Sequence, residues 1–318
     1  MKMLRNAALS ITLLTCGLAP SVAQEYPTRP IQYIIPFQGI PDQMTRAYHE
    51  KVSAILKQPV VHQFKPGVAG RLALIEIARA TPDGYTIGMA STSPLLIHPL
   101  LYPRLPYDTD KSFEMLSVLG TSPLVLAVSA KSGIKTLDDL RALSEKRSLN
   151  IATGGVGGPH HLAAILLQKA GFRAELVHYK TSAEVLPSMI SGAIDAFFST
   201  VAQQAIFVKQ GFYHPLGVTS QRRVTQLPNV PTFSELGHPE INVDTYYASV
   251  APAGTPHAIL DRLSAAYAEA AKSPEVAKML DEMALTPVYM TRHELKADIR
   301  RQQERWRQFI KENNITVE

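Results

Sequence analysis

Three times along this chain a short apolar run ends in a polar or glycine-rich turn that opens directly into an amphipathic pattern, and this alternation confines the fold to the α/β class with a mainly parallel sheet. The first run is Ile31 to Ile35. Beyond a Gly/Pro loop, Met44, Tyr48, Val52 and Ile55 recur at helical spacing. Tyr85 to Ala90 leads into Ser91-Thr92-Ser93-Pro94. Leu149 to Thr153 leads into Gly154-Gly155-Val156-Gly157-Gly158-Pro159 and a helix bearing Leu162, Ile165 and Leu166. A fourth unit passes from a strand at Val177 to Tyr179 into a helix whose entry, Thr181 to Glu184, fits a capping box and which Gly192 ends. Ala193 to Ser199, Leu216 to Ser220 and Tyr247 to Ala251 read as further strands. The tail is helical: Ser273-Pro274 opens one helix, and Thr291 to Glu294 caps a last one whose Leu295, Ile299, Trp306 and Ile310 form a core-facing stripe.

The N-terminus carries Lys2 and Arg5, an apolar stretch from Ala7 to Leu18, and then Ser21-Val22-Ala23, a pattern that predicts export and cleavage after Ala23. Residues 1–23 are therefore expected to be a signal peptide, with the mature protein periplasmic. A lipid anchor at Cys16 is disfavoured by the bulky Thr15 before it. Cleavage removes the single cysteine, so neither a disulfide nor a catalytic or zinc-binding thiolate is expected. The remaining chain of about 295 residues exceeds the usual size of one core, which favours two domains. Its net charge of about +3 comes without a basic run, so nucleic acid is not an expected partner.

Glycine turns that open helices at the ends of strands aim unpaired backbone N–H groups at an anion. The turn from Ala152 to His160 suits this use, although a turn that merely packs helix on strand is the competing reading. It matches neither the dinucleotide fingerprint nor a phosphate loop. His160 and His161 are neighbours that point about 100° apart on a helix, so they do not converge on one metal ion; one is expected to reach into a cleft while the other packs or faces solvent. Ser91, Ser93, Ser182 and Ser199 have no nucleophile-elbow context. No cofactor, no metal and no catalysis are expected.

The order of short segments along the chain carries a resemblance. Tyr26-Pro27, Arg29-Pro30-Ile31, Pro36-Phe37, Lys65-Pro66-Gly67 and Pro82-Asp83-Gly84-Tyr85 are followed by Leu105-Pro106-Tyr107-Asp108 and Gly158-Pro159-His160-His161-Leu162. Then come Tyr179-Lys180, Leu227-Pro228-Asn229-Val230-Pro231-Thr232 and Ala251-Pro252-Ala253-Gly254-Thr255-Pro256. Together these resemble the extracytoplasmic solute receptors of the tripartite tricarboxylate transporters, the Bug family. The resemblance implies a two-lobed type II periplasmic-binding-protein fold, with residues 24–124 and 247–318 in lobe 1 and 125–246 in lobe 2. It implies a small organic carboxylate held between the lobes, integral-membrane transporter subunits as partners, and a monomer. Matched residue by residue, it places Phe37, Gly39 and Asp42 on a first loop, Ser91, Thr92 and Ser93 on a second, and Thr153, Gly157 and His160 on a third, with Tyr179 and Thr200 as further candidates.

This chain departs from the family pattern at the site. Pro36-Phe37-Gln38-Gly39-Ile40-Pro41-Asp42 is two residues shorter than the family loop and has one glycine instead of a pair. Thr181 replaces the usual Gly, Ser199-Thr200 the usual Asp-Asn, and Arg71 a common Asn. Arg71 is thus either a partner for a second acidic group on the ligand or a solvated surface side chain. Asp42 reads more readily as a helix N-cap than as a ligand contact. The alternatives to a transport receptor are an exported enzyme and a sensor subunit, the latter answering to a histidine kinase.

Overall fold

The computed structural model describes residues 26–154, 156–179 and 182–316. The expected signal peptide and the capping residue Thr181 lie outside the described residues. In chain order the elements are β1 (Ile31–Ile35), α1 (Ile40–Leu56), β2 (Val60–Phe64), α2 (Arg71–Arg79), β3 (Thr86–Ser91), α3 (His98–Leu101) and β4 (Phe113–Ser129). Next come α4 (Leu137–Lys146), β5 (Leu149–Thr153), α5 (Pro159–Lys169), β6 (Ala174–His178), α6 (Ser182–Ser191), β7 (Ala196–Thr200), α7 (Val201–Lys209) and β8 (Tyr213–Val218). The chain closes with β9 (Asp244–Pro252), α8 (His257–Ala271), α9 (Pro274–Glu282) and α10 (Arg292–Glu312).

Local sequence explains most of these elements. β1 is an almost unbroken apolar run with Ile31, Tyr33, Ile34 and Ile35 buried, as a strand covered on both faces requires. On α1, Met44, Tyr48, Val52 and Leu56 recur every four residues and form the buried stripe. α10 begins at the expected capping box, in which the Thr291 hydroxyl accepts from the Glu294 N–H and the Glu294 carboxylate accepts from Thr291 N–H. Its stripe of Leu295, Ile299, Trp306 and Ile310 is buried.

The strands of the described residues join in the order β2-β1-β3-β9-β4-β7-β5-β6, with β8 paired to β4. Pairings within β2-β1-β3 and within β7-β5-β6 are parallel, whereas every pairing that involves β4 or β9 is antiparallel. The sheet is therefore mixed rather than mainly parallel, because two strands run back across it. β4 is the longest strand, at 17 residues, and it changes partners midway. From Phe113 to Pro123 it pairs with β9, and from Leu124 onward with β7 on one side and β8 on the other. α1 and α8 cover one side of β1, β3 and β9, burying Tyr48, Leu260 and Tyr267. A larger apolar cluster runs from Ile34 and Leu74 through Leu126 and Phe198 to Trp306 of α10. Strands read at Val177 to Tyr179, Ala193 to Ser199 and Leu216 to Ser220 each begin three residues away, at Ala174, Ala196 and Tyr213.

Candidate ligand-binding cleft

A cavity of about 780 Å³ opens at the ends of β1, β3, β6 and β7, beside β9 and the turn after β5. One wall comes from the loop after β1 (Pro36 to Gln38), the loop after β3 (Ser91 to Ser93) and the strand β9 (Thr245, Tyr247). The facing wall comes from the turn after β5, from His178 and Tyr179 after β6, and from Thr200 after β7. Carboxyl ends of parallel strands thus meet at the cavity, the place where open α/β sheets bind ligands.

Two helix starts face it without side-chain caps. Gly39 caps α1 at φ 74°, and Gly158 caps α5, with neither helix start receiving a side-chain hydrogen bond. First-turn amides have no intrahelical partner, and the helix dipole adds positive potential there, so both starts can receive an anion. α5 does so more readily, because the ionised Asp42 in the first turn of α1 offsets part of that potential. α7 differs, since its cap Thr200 accepts from the Gln203 N–H at 3.3 Å.

No Lys, Arg, Asp or Glu is among the described lining residues. Polar groups come instead from hydroxyls and imidazoles. His98 is 2% exposed, and burial, reinforced by the charge of Arg71, pushes its pKa down to about 4. Burial likewise pushes His160 to about 4. Both rings are therefore neutral at pH 7 and contribute hydrogen bonds, not charge. His98 Nδ1, His160 Nε2 and Thr245 Oγ1 are buried without hydrogen-bond partners, although all three residues line the cavity. Buried polar atoms are ordinarily paired, so these three make the cavity a candidate site for a group that completes them.

Of the residues expected from sequence, Phe37, Ser91, Thr92, Ser93, His160, Tyr179 and Thr200 line the cavity. Thr92 also ties the wall together, its hydroxyl accepting from the Tyr246 N–H at 2.6 Å. Gly39 does not line it, although Gln38 and Pro41 on either side do. Asp42 lies in the first turn of α1, not at its cap, and its carboxylate accepts from His62 Nδ1 at 2.8 Å and Arg46 Nε at 2.9 Å. Burial opposes its charge, but these two bonds outweigh burial and hold its pKa below the usual carboxylate range. Thr153 is fully buried and bonded to His178 Nδ1 at 2.6 Å. The Gly157 N–H donates to His161 Nδ1 at 3.1 Å, so its amide is used inside the turn. His161 is the packed member of the histidine pair, at 7% exposure, and His160 the one at the cavity. Arg71 stacks over Tyr102, 4.6 Å from the ring centroid, and is not a lining residue.

Sequence reasoning missed His98, Tyr102, Thr245 and Tyr247 as lining residues. The signal for His98 was a lone imidazole following the apolar Pro94 to Ile97. For Thr245 and Tyr247 no local signal existed, because β9 reaches the cleft only by pairing with β3 and β4.

The sequence model described as "Tripartite tricarboxylate transporter family receptor" matches residues 44–315. Protein BugT of Bordetella pertussis is 31% identical over 318 residues, covering 98% of each chain. A solved structure described as a periplasmic transporter superposes with a TM-score of 0.84 at 29% identity, over 92% of this chain and all of the other. An R. palustris protein solved with adipate shares the fold, with a TM-score of 0.84 at 24% identity over 92% of this chain and 99% of its own. The family sequence and the two-walled α/β cleft agree, and the chain belongs to the tripartite tricarboxylate transporter receptor family.

Proposed function

We propose that this receptor works in the periplasm, where it captures a small organic carboxylate in the cleft and delivers it unchanged to integral-membrane subunits of a tripartite transporter. The observation that carries the reading is the convergence of two uncapped helix starts and three unpartnered polar atoms on one cavity whose described lining has no charged side chain. Such a lining favours an anion through oriented dipoles, without a counter-ion that would bind it too tightly to release. The adipate-bound neighbour, as a carboxylate binder of the same fold, is compatible with this reading.

In this account the ligand carboxylate lies against the first-turn amides of α5 and α1, with His160 Nε2 completing its hydrogen bonds. Phe37 and Tyr179 cover its apolar part, and Ser91, Ser93 and Thr200 line the remaining polar surface. The lobes are residues 24–124 with 247–318, and 125–246; the partner change of β4 between Pro123 and Leu124 supports that division. Export by a leader cleaved after Ala23 belongs to the same proposal.

Thermal unfolding with a library of organic acids tests it. A ligand present at 100 times its dissociation constant adds about 2.7 kcal/mol to the native state and raises the melting temperature by several degrees, while a chelator changes nothing. A melting curve that no acid shifts would contradict the proposal.

A further inference from the structure

The cleft holds more polar groups than one carboxylate engages. His98 is 2% and Thr245 7% exposed, and neither His98 Nδ1 nor Thr245 Oγ1 has a hydrogen-bond partner. The fold brings both to one wall. Thr245 and Tyr247 lie two apart on β9 and share a face, and Tyr247 stands opposite Ser91 of β3. From the Ser91 loop a single wide helical turn, Ser93–Ile97, carries the chain to His98, whose ring meets Tyr102 edge-on at 5.1 Å.

This wall has no charge to offer. His98 is neutral, and the nearby cation, Arg71, is stacked over Tyr102 instead of lining the cavity. A second ligand carboxylate would lose its hydration there without a contacting counter-ion, since Arg71, whose charge reaches His98, is not among the lining residues. A hydroxyl both donates and accepts, so it satisfies an imidazole nitrogen and a threonine hydroxyl whichever tautomer His98 adopts. Elsewhere on the cavity lining, the rings of Phe37, Phe64, Tyr179 and Tyr247 supply flat apolar surface.

Resting on the carboxylate reading above, we infer that the ligand is an aromatic monocarboxylate whose far end carries a neutral hydroxyl, received by His98 Nδ1 and Thr245 Oγ1. His98 and Thr245 are then the residues that set specificity, apart from those that hold the carboxylate.

Calorimetry at pH 7.5 with benzoate, 4-hydroxybenzoate and terephthalate tests this, because the three probes share a ring and one carboxylate and differ only at the far end. The expected order is 4-hydroxybenzoate tighter than benzoate by at least about tenfold, with terephthalate weakest. In His98→Phe and in Thr245→Val, each checked for cooperative unfolding, the ratio of 4-hydroxybenzoate to benzoate affinity falls to under about threefold. Terephthalate binding best overturns the inference, as does a hydroxyl preference that survives both substitutions combined. If adipate or malate binds and no aromatic probe does, the inference fails while the carboxylate reading stands. If no acid of either kind binds, both fail.

Discussion

Leu101 Cδ1 stands 2.5 Å from the point that a β-carbon on Gly157 would occupy. Gly157 belongs to the turn after β5 and Leu101 to the end of α3, so the two walls of the cleft approach so closely here that a β-carbon would displace the Leu101 side chain. Its φ of 74° adds a second reason for glycine. We expect Gly157→Ala to weaken ligand binding about tenfold or more, because the added methyl wedges the walls apart and overpacking of this kind costs roughly 1–3 kcal/mol. Leu101→Ala in the same chain should restore part of the affinity, since it removes the clash and leaves the backbone strain. Calorimetry on the two single variants and the double variant reads the coupling. Additive losses would mean that the two residues do not meet in the bound state.

The histidines of the site set a pH dependence of stability. Burial pushes His98, His160 and His161 from 6.5 to about 4, helped at His98 by Arg71 and at His161 by His178. Below pH 6.5 the unfolded chain takes up protons that the folded one refuses, so stability is complete above 6.5 and is lost as pH falls toward about 4. Melting temperatures recorded from pH 7.5 to 4.5 should fall across that window. A flat or rising profile would show that these rings charge freely in the native state.

Asp42 anchors a buried chain of hydrogen bonds. Its ionised carboxylate accepts from His62 Nδ1–H, which directs His62 Nε2 to accept from His49 Nδ1 at 2.6 Å, and His49 Nε2 to accept from the Tyr267 hydroxyl at 2.7 Å. Asp42→Ala should therefore cost about 1–3 kcal/mol in urea unfolding by leaving His62 without its acceptor, and should change ligand affinity by less than about threefold. A hundredfold loss of affinity in a normally stable variant would return Asp42 to the binding site.

What the sequence made legible was local, and what it hid was long-range. The β5 strand, its glycine turn and α5 follow from period and turn chemistry within about twenty residues, as do the cap and stripe of α10. Ser91 to Ser93 and His160 could be placed at the cleft because they sit at strand ends that open into helices. β4 could not be foreseen as one 17-residue strand, since its course depends on β9 for one half and on β7 and β8 for the other. Gly157 was recognisable as special, but its closeness to Leu101 was not. A glycine that exposes its amide and a glycine that admits Leu101 look alike in sequence, and only the fold separates them. His98 and Thr245 escaped notice for the same cause, because pairing of distant strands decides which polar residue is buried without a partner.

The account rests on one claim, that the cleft holds a small organic acid and returns it unchanged. Native mass spectrometry of the freshly purified mature protein, followed by denaturation and identification of what is released, tests it most directly. The account predicts one bound molecule per chain, released intact and bearing a carboxyl group. Release of a compound without a carboxyl group, or of a product differing in mass from the acid supplied, would contradict it.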